Sequence, residues 1–108
     1  MRVLVANELR SYREAIAGAV QALRPHLEVI AVEPEDLDRD VAHLMPQLVL
    51  CSELSEVVET RCLAWVVLYP NGETRAVVNI AGHRRTVAGD LPFAGWLSIV
   101  DEAERLAS

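Results

Sequence analysis

The sequence predicts an α/β fold in which a parallel sheet gives way to an antiparallel hairpin or meander, closed by a C-terminal helix. Short apolar runs alternate with segments whose apolar residues recur every three or four positions, the pattern of strands joined by crossover helices. Beyond Ala64 the pattern changes, because Asn71 and Gly72 separate two β-rich runs and Asn-Gly in that setting is a hairpin signal.

Val3, Leu4, Val5 and Ala6 are apolar on successive positions within Arg2 to Ala6, as befits a strand covered on both faces. Leu9, Tyr12, Ile16, Ala19, Val20 and Leu23 then mark a helix, with Ser11 and Glu14 as a capping box and Pro25 as its stop. Leu27 to Val32 is a second strand. Pro34 opens a polar helix whose apolar stripe is Leu37, Val41 and Leu44, and Pro46 ends it. Leu48 to Cys51 is a third strand, and Ser52 is placed to cap a short helix burying Leu54, Val57 and Val58. Trp65 to Tyr69 and Arg75 to Ala81 flank Pro70, Asn71 and Gly72. Gly82 and His83 turn the chain into Arg84 to Ala88. Asp90, Leu91 and Pro92 then start a helix carrying Phe93, Trp96, Leu97, Val100 and Ala103.

The chain has 108 residues and a 52% hydrophobic fraction, enough to build one core, so one domain spanning 1–108 is expected, with no linker, repeat or tail. A formal charge of −6 opposes binding to phosphate backbones, which predicts neither nucleic acid nor an anionic membrane as partner. No apolar run reaches the roughly 18 residues that cross a bilayer, and Met1 leads straight into a strand rather than a signal peptide, so a cytoplasmic location is expected. Cys51 and Cys62 show neither CxxC spacing nor a histidine cluster and read as small buried hydrophobes, with no metal or cofactor expected.

The segment Met1-Arg-Val-Leu-Val-Ala-Asn-Glu-Leu-Arg-Ser-Tyr-Arg-Glu14 resembles the start of a response-regulator receiver domain. In that family the first strand ends in paired acids that hold magnesium, and Asn7 and Glu8 stand in those places. Pro46-Gln-Leu-Val-Leu-Cys-Ser52 resembles the third strand, with Ser52 where the phosphate-accepting aspartate would be. The resemblance implies a receiver- or flavodoxin-like three-layer sandwich. It weakens beyond Tyr69, which stands where receivers carry Ser or Thr. Leu91 precedes Pro92 where they carry Lys, and the hairpin takes the space of their fourth helix. Asn7, Glu8, Ser52 and Tyr69 therefore form the candidate relic of a phosphorylation pocket.

The chemistry makes these changes matter, since phosphoryl transfer needs a carboxylate acceptor, a divalent cation on hard oxygens and a cation to balance charge. A lone Glu8 is a poor magnesium site, and Ser52 has no evident base to activate it. The same residues also fit plain roles as a helix cap and loop polar groups. His83, Arg84 and Arg85 read either as an anion or acidic-partner site near Arg75 or as charges protecting a strand edge. His26 and His43 read as surface residues. No hydrolase elbow or phosphate-binding glycine loop is present, so no catalytic activity is expected.

Pairing across Asn71 and Gly72 is expected to put Trp65, Val67 and Val78 on one face and Val66 and Val77 on the other. With only the last helix to cover this end, one apolar face would stay wet, which predicts a homodimer interface involving Trp65, Val66 and Val77. The functional expectation is a non-phosphorylatable receiver-like module that binds a protein partner or itself. The alternative is a small-ligand-binding α/β domain using the strand-end crevice near Asn7, Glu8 and Ser52.

Overall fold

The computed structural model describes residues 1–68, 74–88 and 92–107, and every structural statement below concerns these. Strands β1 (Arg2–Ala6), β2 (Glu28–Ala31), β3 (Leu48–Cys51), β4 (Ala64–Leu68), β5 (Arg75–Ile80) and β6 (His83–Ala88) form one sheet of order β2-β1-β3-β4-β5-β6. The β2, β1, β3 and β4 neighbours pair parallel, whereas β5 and β6 add on antiparallel. Helices α1 (Arg10–Leu23), α2 (Leu37–Leu44) and α3 (Glu56–Arg61) separate the parallel strands, and α4 (Phe93–Ala107) ends the fold. The mixed α/β architecture and C-terminal helix agree with the sequence reading. The Asn71-Gly72 turn and Tyr69 lie outside the described residues.

Strands β1, β3 and β4 are buried almost throughout, which is why their sequences are apolar on consecutive positions rather than alternating. One face carries Val3, Val5, Leu48, Leu50, Val66 and Val78 against Ile16 and Val20 of α1 and Trp96, Ile99 and Val100 of α4. The other carries Leu4, Val49, Trp65 and Val67 against Leu37 and Val41 of α2 and Val58 of α3. Each face thus has its own helical cover.

Several local expectations shift by one step. Helix α1 starts after Leu9 with no side-chain cap, so Ser11 and Glu14 form no capping box; Glu14 instead pairs with Arg10 at 3.1 Å. Its inward stripe includes Arg13, Ile16, Ala17 and Val20, while Leu9 and Leu23 face solvent. Pro34 starts a short 3-10 turn, Pro34–Asp36, before α2. Met45 ends α2 in the left-handed conformation ahead of Pro46, which cannot extend a helix. The β5–β6 connection is Ala81 and Gly82, not Gly82 and His83. Both have positive φ, 52° and 86°, as a two-residue primed turn requires.

The hairpin register also differs from expectation: Val66 faces Val78 and Val67 faces Val77, so Val78 shares the face of Val66 rather than that of Trp65. A one-residue change in register moves a side chain to the opposite face. Helix α4 covers the Val66 and Val78 side, so the face left open at this end is the one that carries Val77.

Helix α4 is tied to the end of α1 by Arg24, whose Nε and Nη2 donate to the two carboxylate oxygens of Asp101, each at 2.8 Å. These hydrogen bonds hold the Asp101 carboxyl below its ordinary value. A lowered carboxyl pKa stabilises the fold above the ordinary carboxylate range near about 4, and the contribution disappears as pH falls through the lowered value. Asp101→Asn is therefore expected to reduce the urea midpoint at pH 7 and to match the parent once both are strongly acidified. An equal deficit at both pH values in paired urea titrations would count against this coupling.

Candidate functional site

The carboxyl ends of β1 and β3 lie side by side because Ala6 is in register with Cys51, and this carries the next residues, Asn7, Glu8 and Ser52, to one end of the sheet. The Glu8 backbone N–H donates to Ser52 Oγ at 2.9 Å. Ser52 does not cap α3. That cap is Ser55, whose Oγ accepts from the Val58 N–H at 3.2 Å and donates to Asp38 Oδ1 at 2.6 Å. The bulge of chain between Ser52 and Ser55 thus frees Ser52 to bridge to β1.

Asn7 is buried and Glu8 is exposed, so the adjacent pair does not present two side chains to one bound ion. A residue the sequence reading passed over, Arg13, organises this end. Its side chain is 5% exposed, its Nη1 donates to the Asn7 carbonyl at 3.0 Å, and its Nη2 pairs with Glu33 at 3.3 Å. An arginine three positions before Ile16, on the stripe that continues through Val20, is the signal that was available for it. A buried guanidinium must be paired and hydrogen-bonded, and here it fastens the end of β1 to the loop after β2.

The donor set does not suit magnesium. Magnesium needs octahedral coordination by hard oxygens, whereas of the three residues expected to hold it Asn7 is a buried neutral amide, Ser52 a hydroxyl already taken by a backbone N–H, and only the exposed Glu8 a carboxylate. Among the described residues no cluster of three or more His, Cys, Asp or Glu is placed to hold a metal.

From these strand ends a cleft of about 1000 Å³ runs over the α2–α3 face of the sheet to β5 and β6. Cys51, Val67 and half-buried Val77 line it, as does Trp65, and Arg84 lies over the Trp65 ring 4.9 Å from its centroid. Trp65 and Val66 are both buried within the chain, on opposite faces of β4, and so are not available together as a dimer surface. Val77 remains half-buried on the cleft floor.

The basic run on β6 is divided by the alternation of a strand. Arg84 reaches Glu59 of α3 at 3.2 Å, and Arg85 reaches Glu102 of α4 at 3.3 Å on the other face. They do not converge on one anion. His26 meets Glu104 at 2.8 Å, and none of the three histidines lines the cleft. Both cysteines are free and buried; burial pushes the Cys51 thiol up to about 12 and the Cys62 thiol to about 11, so neither supplies a thiolate near neutral pH. No helix among the described residues is long and apolar enough to cross a membrane.

The two serines separate experimentally. Ser55→Ala should cost about 1 kcal/mol and speed amide exchange at Val58 about fivefold. Ser52→Ala should instead speed exchange at Glu8 and leave Val58 as it was. Exchange at Val58 rising equally in both variants would contradict the assignment of the cap. No protein-family model, curated protein or solved structure matches this chain, so what the cleft does has to be read from its own residues.

Proposed function

We propose that this chain is a receiver-like module that binds a protein partner and carries out no phosphoryl chemistry. The β2-β1-β3-β4 parallel order with helices between the strands supports the receiver-like part, as does the meeting of Asn7, Glu8 and Ser52 beyond the strand ends. The observation that carries the loss of chemistry is the bond from the Glu8 N–H to Ser52 Oγ. At the acceptor position stands a hydroxyl that structures the backbone, with no carboxylate to attack phosphorus.

The buried Arg13 strengthens this reading. Its Nη1 takes up the Asn7 carbonyl, so that oxygen already serves a guanidinium where a receiver-like metal site would begin. Attack by Ser52 itself would need a base, and the hydrogen bond its Oγ makes is with a backbone N–H rather than with a histidine or carboxylate. What remains is a pair of loops held at fixed spacing by β1 and β3, a rigid platform for recognition rather than turnover.

Self-association through Trp65, Val66 and Val77 is not needed to keep the first two dry, so the partner in this reading is another protein. The test is incubation with a small phosphoryl donor and excess magnesium followed by intact-mass measurement. The expected mass is that of the unmodified chain, and a stable adduct lost on Ser52→Ala would overturn the proposal.

A further inference from the structure

The cleft is bipolar. Glu8, Glu33, Glu35 and Glu53 line the end formed by the strand ends and the 3-10 turn, whereas Arg75 and Arg84 line the end formed by β5 and β6. Between them the floor is apolar, with Cys51, Val67 and Val77. Among the described residues, the buried side-chain polar atoms without a hydrogen-bond partner are Asn7 Oδ1 and Trp65 Nε1. Both residues line this cleft, one offering an acceptor and the other a donor. Buried polar groups are otherwise paired as a rule, so two orphans of opposite kind in one cleft point to something that meets them.

The geometry points to an extended peptide segment of a protein partner as that occupant, with a basic side chain at the glutamate end and an acidic side chain at the arginine end. This deepens, and rests on, the interaction-module reading. Four carboxylates at one end repel nucleotides and other polyanions, while a purely apolar ligand would leave both charged ends unused. A peptide backbone carries a donor and an acceptor at every residue, the complement of the Asn7 and Trp65 orphans. From β1 to β5 the sheet order gives three strand spacings, or about 14 Å. An extended chain covers that distance in roughly four residues.

Arg84 is suited to the exchange. Its pair with Glu59 is solvent-exposed and weakly held, so a partner carboxylate can share or replace it. Drawing the guanidinium outward also uncovers the Trp65 indole beneath it.

The experiment titrates the ¹⁵N-labelled full chain with acetyl-Lys-Val-Thr-Val-Asp-amide, alongside equivalents bearing Asp at both ends or Lys at both ends. The expected result is saturable movement of the Trp65 indole and Asn7 side-chain amide signals, with the bipolar peptide binding at least tenfold more tightly than either control. Joint Glu8→Arg and Glu53→Arg substitution, both at exposed positions, should transfer the preference to the peptide with two aspartates. No movement of those signals at millimolar peptide, equal binding of all three peptides, or an unchanged preference in the substituted chain would each overturn the proposal. Binding of unblocked tetravaline in place of the blocked peptide would also overturn it, in favour of free peptide termini. A phosphoryl adduct in the mass test would sink the non-phosphorylatable module while leaving this titration free to succeed.

Discussion

Strands β1, β3 and β4 have no face in water, and that constraint decides where every polar group on them can go. A side chain in the middle of such a strand meets a helix on either side, so Val3 to Val5, Leu48 to Leu50 and Ala64 to Leu68 are apolar without alternation. Polar residues are displaced to the first positions beyond the carboxyl ends, where Asn7, Glu8, Ser52 and Glu53 stand. Open α/β sheets bind ligands at such ends for the same reason, since only there do loops from adjacent strands meet water.

The elements legible in the sequence are those dictated by burial: the consecutive apolar strands, the periodic stripe of α4 and the β-rich runs of the hairpin. What could not be read was set by pairings between distant residues. Ser52 and Ser55 are both good caps by chemistry, and the choice between them depends on the Glu8 N–H taking Ser52 across 44 positions of sequence. Arg13 has the charge of a surface residue, and its burial is tolerated only because the Asn7 carbonyl and Glu33 satisfy it. The strand-end cluster was legible as a place; its internal bonding was not. The face of Val78 was misassigned because strand register, unlike strand existence, turns on a single residue of loop length.

All ten basic residues are arginine, and several work as clamps rather than as an anion patch. Arg24 holds α4 to the end of α1, and Arg13 holds β1 to the loop after β2. On β6, Arg84 and Arg85 reach in opposite directions to helices on the two faces. Exposed pairs of this kind contribute little stability singly. On a terminal strand their charge has a second use, because it discourages further strands from adding to the open edge.

The cleft itself follows from connectivity. One face of the sheet receives α1 and α4 and is closed to the far side of β5, where Ala76, Val78 and Ile80 are buried. The other receives α2 and α3, which pack over β1, β3 and the inner side of β4. Strand β5 pairs antiparallel beside β4, and α3 meets this second face over β6 through the exposed pair of Glu59 with Arg84. The surface left open there must tolerate water, and Arg75, Asn79, Arg84 and Thr86 share it by register, with Val77 and Ala88 as its apolar members. The antiparallel addition of β5 and β6 therefore leaves a groove, and the arginines face it across the sheet from the glutamates at the strand ends.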